Sequence, residues 1–266
     1  MEDFKEILNW YILTGVDEIC GEKSCDWLNV AKDTQTENKA EKRSETLNQT
    51  ATTTRPATTL LAQENAAACN NAKEICRQAD NLEKLRKLVE NFEGCSLRFS
   101  ANSTVFGDGN PEAEVMIIGE APGADEDREG RPFVGRSGKL LSKMLETIGL
   151  KREDCYITNV LSWRPPGNRT PTDAEVAVCL PFLRRQIELV APKVILLLGG
   201  SAANAVLENN DSISSLRGHF LNYVTQDGKE IPALASFHPA YLLRTSTQKA
   251  KAWSDFMKLQ RKLKEL

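Results

Sequence analysis

The chain has 266 residues, of which 41% are hydrophobic and 27% charged, enough for one sizeable domain with an appendage and too apolar for a wholly disordered chain. Its net charge of −3 is unevenly spread: residues 1 to 94 hold 12 Lys+Arg against 17 Asp+Glu, and residues 95 to 266 hold 22 against 20. A mildly positive globular part permits a nucleic-acid partner without arguing for one. The opening MEDFKE lacks the basic and apolar segments of a secretory signal, and no apolar run nears the roughly 20 residues of a membrane span. A soluble, cytoplasmic protein is expected, nucleoid-associated if prokaryotic. The seven cysteines, at 20, 25, 69, 76, 95, 155 and 179, are then expected as thiols or metal ligands rather than disulfides, and no CxxC pair occurs among them.

Residues 3 to 20 place Phe4, Ile7, Leu8, Tyr11 and Ile12 at helical spacing, which predicts a short amphipathic helix in an appendage over residues 1 to 31. Residues 32 to 78 read as a low-complexity linker, with TATTTRPATT near the centre and few bulky apolar residues to offset the entropy of ordering. A tethered layout of this kind fits recruitment of a partner protein. The globular domain is expected over 79 to 266, opening with a helix that carries Leu82, Leu85, Leu88, Val89 and Phe92 and closes at Gly94.

Four apolar strand candidates follow, at Val115 to Gly119, Tyr156 to Leu161, Val194 to Gly199 and Ala233 to Phe237. Between them lie a helix with Leu140, Leu141, Met144, Leu145 and Ile148 on one face, and another opened by the capping box Thr172 to Glu175. Alternating strands and helices predict an α/β fold whose parallel sheet is covered on both faces. Ligands of such sheets bind beyond the carboxyl ends of the strands. The first strand runs into GEAPGADEDREGRPFVGRSG, the second into NVLSWRPPGNR, the third into LGGSAA and the fourth into FHPAYLLR. All four loops should therefore converge on one site.

Together these motifs resemble the family 4 uracil-DNA glycosylases, over about residues 80 to 266. The resemblance implies a three-layer α-β-α fold with a four-stranded parallel sheet. It also implies hydrolysis of the bond between a flipped-out uracil and its deoxyribose, by a monomer acting on single- or double-stranded DNA. Phe133 is by resemblance the ring on which uracil stacks, and a Gly- and charge-rich loop suits that exposure. Asn159 carries the donor and the acceptor that uracil's O4 and N3–H require, whereas cytosine would meet two mismatches. Glu126 corresponds to a family position beside C5 that helps exclude thymine. Neutral His238 can donate to O2 as negative charge gathers there during cleavage, and His219 reads as structural. Glu120 either orients water or holds its loop, and the amides of Ala121 to Gly123 are candidate donors to the base carbonyls.

DNA contacts are expected from Gly200 and Ser201 at a helix start, from Arg169 and Arg244 as phosphate clamps, and from Leu242 as an apolar wedge. The C-terminal run from Lys249 to Lys264 reads as a basic helix. Family 4 members hold an iron–sulfur cluster with four cysteines. Cys95 and Cys179 match two of those positions, but Phe92 and Trp163 stand at the other two, so no [4Fe-4S] cofactor is expected and an apolar plug takes its place. Cys76 or Cys155 reaching the site through the fold is the alternative. A glycosylase for hypoxanthine or xanthine, and a catalytically silent DNA-binding protein of the same fold, are the competing readings.

Overall fold

The computed structural model describes residues 57–266. The helix expected over residues 3 to 20, and the linker as far as residue 56, lie outside the described residues. From residue 57 the expected linker is instead a helix, α1 (Ala57–Gln78). Its inner stripe is built mostly from small residues: Ala68, Cys69, Ala72, Cys76 and, just past its end, Ala79 join the core together with Ile75. These recur at helical spacing, and alanine is the best helix former. The stripe lacks the large side chains that usually advertise an amphipathic helix, yet α1 lies along the long helix α6 (Asp173–Val190).

The remaining helices are α2 (Leu82–Glu90), α3 (Leu97–Ser100), α4 (Ala124–Glu129), α5 (Arg136–Glu146), α7 (Gly200–Leu207), α8 (Ile213–Leu216), α9 (Pro239–Arg244) and α10 (Lys249–Glu265). The strands are β1 (Asp108–Gly109), β2 (Val115–Gly119), β3 (Cys155–Asn159), β4 (Val194–Leu198), β5 (Phe220–Val224) and β6 (Glu230–Ser236). They form one sheet in the order β1-β3-β2-β4-β6-β5. The four central strands are parallel, as expected, and correspond to the four apolar segments of the sequence. The sheet is nevertheless six-stranded, because β1 and β5 add antiparallel edges. β1 has only two residues, too few to show a period, and β5 is half exposed with a mixed pattern, FLNYV.

Strands β2, β3 and β4 are buried along their whole length, since helices cover both faces and alternate side chains point to opposite layers. Met116, Ile118, Ile195 and Leu197 pack on the side of α1, α2, α6 and α7. Val115, Ile117, Leu196 and Leu198 pack on the side of α5, α9 and α10. The capping box that opens α6 forms as expected: Thr172 Oγ1 accepts from the Glu175 N–H, and the Glu175 carboxylate accepts from the Thr172 N–H at 2.8 Å. Among the described residues no helix is long and apolar enough to cross a membrane.

Candidate active site

At the carboxyl ends of β2, β3 and β6 the sheet opens into a cavity of about 380 Å³. Glu120, Ala121, Glu126, Phe133, Asn159, Arg169, His238 and Arg244, all singled out in the sequence, line it together with Ser137 and Tyr241. Ala121 lies on the β2 loop, next to Gly123, whose N–H is already engaged by Glu126 at 3.1 Å and is not free for a ligand.

Asn159 is the last residue of β3 and is only 3% exposed. Its Oδ1 is buried without a hydrogen-bond partner among the described residues. Leaving a buried acceptor unpaired costs about 1–3 kcal/mol, and such atoms are rare away from ligand sites. Gly119, its neighbour across the β2–β3 pair, makes the room. A Cβ there would stand 2.4 Å from Asn159 Oδ1 and 2.6 Å from Phe133 Cζ.

His238 sits at the N-cap of α9, where its Nδ1 accepts from the Ala240 N–H at 3.1 Å. An imidazole that accepts at Nδ1 carries its proton on Nε2, which leaves that nitrogen as the donor. Desolvation in the cleft, helped by the positive charge of Arg244 and opposed by Glu126, pushes the histidine pKa down from 6.5 to about 4. The ring is therefore neutral at physiological pH. The Phe133 ring lies 5.6 Å from it, centroid to centroid, with the planes 29° apart.

Three of the expected roles need correction. Glu126 is neither solvated nor free to face a base, because its carboxylate is tied to the backbone. Oε2 accepts from Gly123 N–H, and Oε1 accepts from the N–H groups of Val134 and Gly135 at 3.0 Å each. It thus links the β2 loop to the entry of α5. Arg169 is not a free phosphate clamp, since both terminal nitrogens bond Glu175 at 2.9 and 2.6 Å. That pair holds the Glu175 carboxyl down at about 2. Leu242 is fully buried in the core beneath α9, whereas Leu243 is 40% exposed. The short helix turns Leu242 inward, where it cannot serve as a wedge.

Ser201, exposed on the first turn of α7, lines a neighbouring recess of about 280 Å³ that shares Glu120 with the main cavity. Gly200 starts that helix beside Gly199, which abuts His238: a Cβ on Gly199 would lie 3.3 Å from the His238 Cβ. Arg244 is exposed on the rim of the cavity and makes no salt bridge within the described residues. His219 is exposed ahead of β5 and is not part of the cavity lining.

Behind the loop after β3, Phe92 and Trp163 are buried with their rings 6.4 Å apart and nearly parallel, and Phe182 meets Phe92 edge-on at 4.9 Å. The indole N–H of Trp163 donates to Thr104 Oγ1 at 3.0 Å. Cys95 and Cys179 lie in the same core layer and are hydrogen-bonded to each other, which holds the Cys95 thiol down and the Cys179 thiol up. Cys155 belongs to the core on the opposite face of the sheet. Burial pushes both Cys155 and Cys76 up to about 12. Two thiols and two aromatic rings do not fit a cluster that needs four thiolates. Among the described residues no three His, Cys, Asp or Glu side chains gather to hold a metal.

A pocket at the strand ends of a three-layer α/β sheet, with a stacking ring, an orphan amide oxygen and a neutral histidine donor, is a nucleobase site in form. Residues 106–257 match the sequence model of the Uracil DNA glycosylase superfamily. The chain is 40% identical over 186 residues to the Type-4 uracil-DNA glycosylase of Sulfurisphaera tokodaii, covering 68% of this chain and 84% of that protein. It is 42% identical over 184 residues to the Type-4 uracil-DNA glycosylase of Archaeoglobus fulgidus, covering 68% and 92% respectively. A Type-5 uracil-DNA glycosylase of Pyrobaculum aerophilum is 34% identical over 149 residues, covering 50% of this chain and 64% of that protein. The chain belongs to the uracil-DNA glycosylase superfamily and, within it, to the type-4 enzymes.

Proposed function

We propose that this protein hydrolyses the N-glycosidic bond of uracil in DNA, releasing free uracil and leaving an abasic site for repair. The observation that carries this reading is the unpaired, buried Oδ1 of Asn159 at the floor of a cavity walled by Phe133 and His238. A uracil rotated out of the helix would stack on Phe133 and give its N3–H to Asn159 Oδ1, while Asn159 Nδ2 donates to O4. Cytosine would place a bare acceptor against Oδ1 and a donor against Nδ2, a mismatch that a buried site penalises strongly. Unstacking costs a few kcal/mol, which these contacts offset.

As the bond from C1′ to N1 breaks, the electron pair leaves with uracil and charge gathers on O2. His238 Nε2–H donates there, and a neutral donor aimed at developing charge is an effective catalytic device. Water adds to C1′ and loses its proton to solvent, and Glu120, which lines the cavity, orients that water. Glu126 shapes the pocket by holding its two loops together. Arg244 and the start of α7, with Gly200 and Ser201, contact phosphates, and Leu243 enters the gap left by the base. The protein acts as a monomer in the cytoplasm, at the nucleoid in a prokaryote, and without an iron–sulfur cluster. The segment before residue 57 recruits a repair or replication partner.

The test is cleavage of an end-labelled oligonucleotide with a single uracil after alkaline treatment. Wild type is compared with His238→Ala and Asn159→Ala, and a thymine substrate serves as control. Cleavage that depends on uracil and falls by about 10²–10³ in His238→Ala supports the reading. Folded wild type that binds the oligonucleotide without cutting it would leave a silent DNA-binding protein, and cutting only at hypoxanthine or xanthine would change the substrate.

A further inference from the structure

Phe133 has a left-handed backbone, with φ of 53°. A bulky aromatic residue keeps that conformation only where its surroundings hold it there. One guanidinium makes that hold. Arg152 Nη1 donates to the Phe133 carbonyl at 2.8 Å, and Nη2 donates to the carbonyl of Pro132, so two consecutive carbonyls are gripped in one plane. Asp108 orients the guanidinium from the other side, its Oδ2 accepting from Nη2 at 3.0 Å and from Nε at 3.3 Å.

Both residues stand on the same edge of the sheet. Asp108 is in β1, which pairs with β3, and Arg152 begins the single helical turn that leads into β3. Gly138 of α5 completes the clamp. A Cβ there would lie 1.8 Å from the Phe133 carbonyl oxygen, so only glycine lets the helix pack against the gripped peptide.

We propose that Arg152, oriented by Asp108, is a positioning residue that holds the left-handed turn at Phe133 and so lays the Phe133 ring across the cavity. The proposal rests on the reading of Phe133 as the ring on which the base stacks. Lysine cannot substitute, because a compact ammonium lacks the planar fork that spans two carbonyls and a carboxylate at once.

The test uses the full chain, isotopically labelled, and two readouts. A left-handed residue gives a strong NMR cross-relaxation signal between its own amide and Hα protons. That signal is expected at Phe133 in wild type and is expected to be lost in Arg152→Ala. Should Arg152→Ala not fold, Arg152→Lys carries the same measurement. Persistence of the left-handed signature in the variant overturns the proposal, whatever happens to activity.

The second readout is uracil excision in a double-mutant cycle with Phe133→Ala. Arg152→Ala alone is expected to lower kcat/KM roughly ten- to hundredfold through KM, the size of effect that loss of one base–aromatic stacking contact has. In the Phe133→Ala background it is expected to cost nothing further. Additive losses would mean that Arg152 acts on something other than Phe133 and would overturn the proposal. If wild type does not excise uracil, the functional reading fails while the backbone measurement still decides the role of Arg152.

Discussion

His238 is placed to work as a neutral donor, and this has a measurable signature in pH. Burial in the cleft and the charge of Arg244 lower its pKa from 6.5 to about 4. Between these values the unfolded chain binds a proton at this residue and the folded protein does not. Stability therefore falls as pH drops through that window, and the loss levels off below about 4, where both states are protonated. The displacement corresponds to roughly 3 kcal/mol in total. A His238→Asn variant lacks this titration. Its stability relative to wild type should rise by about that amount between pH 7 and 4, as read from urea denaturation at several pH values. In the same range kcat/KM for uracil excision by wild type should be flat down to about pH 5 and then decline. A decline of kcat/KM centred near 6.5, or a stability difference that stays flat between pH 7 and 4, would refute the argument, because either would mean that the imidazole is solvated and charges freely.

Leu242→Ala should destabilise the fold by about 2–5 kcal/mol, as deletion of a fully buried leucine does. Leu243→Ala should leave stability unchanged and lower excision from duplex more than from single-stranded DNA, because only the duplex presents a gap to fill; paired denaturation and cleavage assays check both. Protein purified without oxygen should carry no stoichiometric iron and keep its Tm in chelator, while Trp163→Ala should cost about 3–5 kcal/mol. Metal analysis and urea denaturation read these outcomes. Glu126→Gln turns a donor toward backbone N–H groups that now meet an acceptor, and should cost about 1–3 kcal/mol together with a loss of excision. Equal Tm and activity in that variant would show that the carboxylate does not tie the loops.

The sheet's centre was legible because β2 and β4 are short, continuous apolar runs, as strands buried on both faces are, and β3 opens in the same way before Thr158 and Asn159. Phe133, Asn159 and His238 were legible because Asn159 ends such a strand and the other two lie in the segments that follow β2 and β6, and the structure brings them to one cavity. The parts that were not legible are those decided only by how the segments turn and pack once folded. Nothing near Arg169 reveals that both its nitrogens are taken by Glu175 once α6 has formed. Nothing around Leu242 and Leu243 tells which one a six-residue helix turns inward. Arg152 carried no motif at all, and its importance lies in reaching carbonyls 19 and 20 residues earlier in the chain. Helix α1 had a readable stripe, Ala68 to Ala79, disguised by its small side chains.

Gly119 ends β2 with no side chain, and the space left is where Asn159 Oδ1 and Phe133 Cζ approach the backbone. A single-base change from a glycine codon to alanine would add one methyl group there and close the floor of the cavity, while the surrounding strands stay paired through their backbones. One codon at the end of β2 thus decides whether the pocket is open, because the Asn159 amide and the Phe133 ring would both have to move to admit a single methyl group.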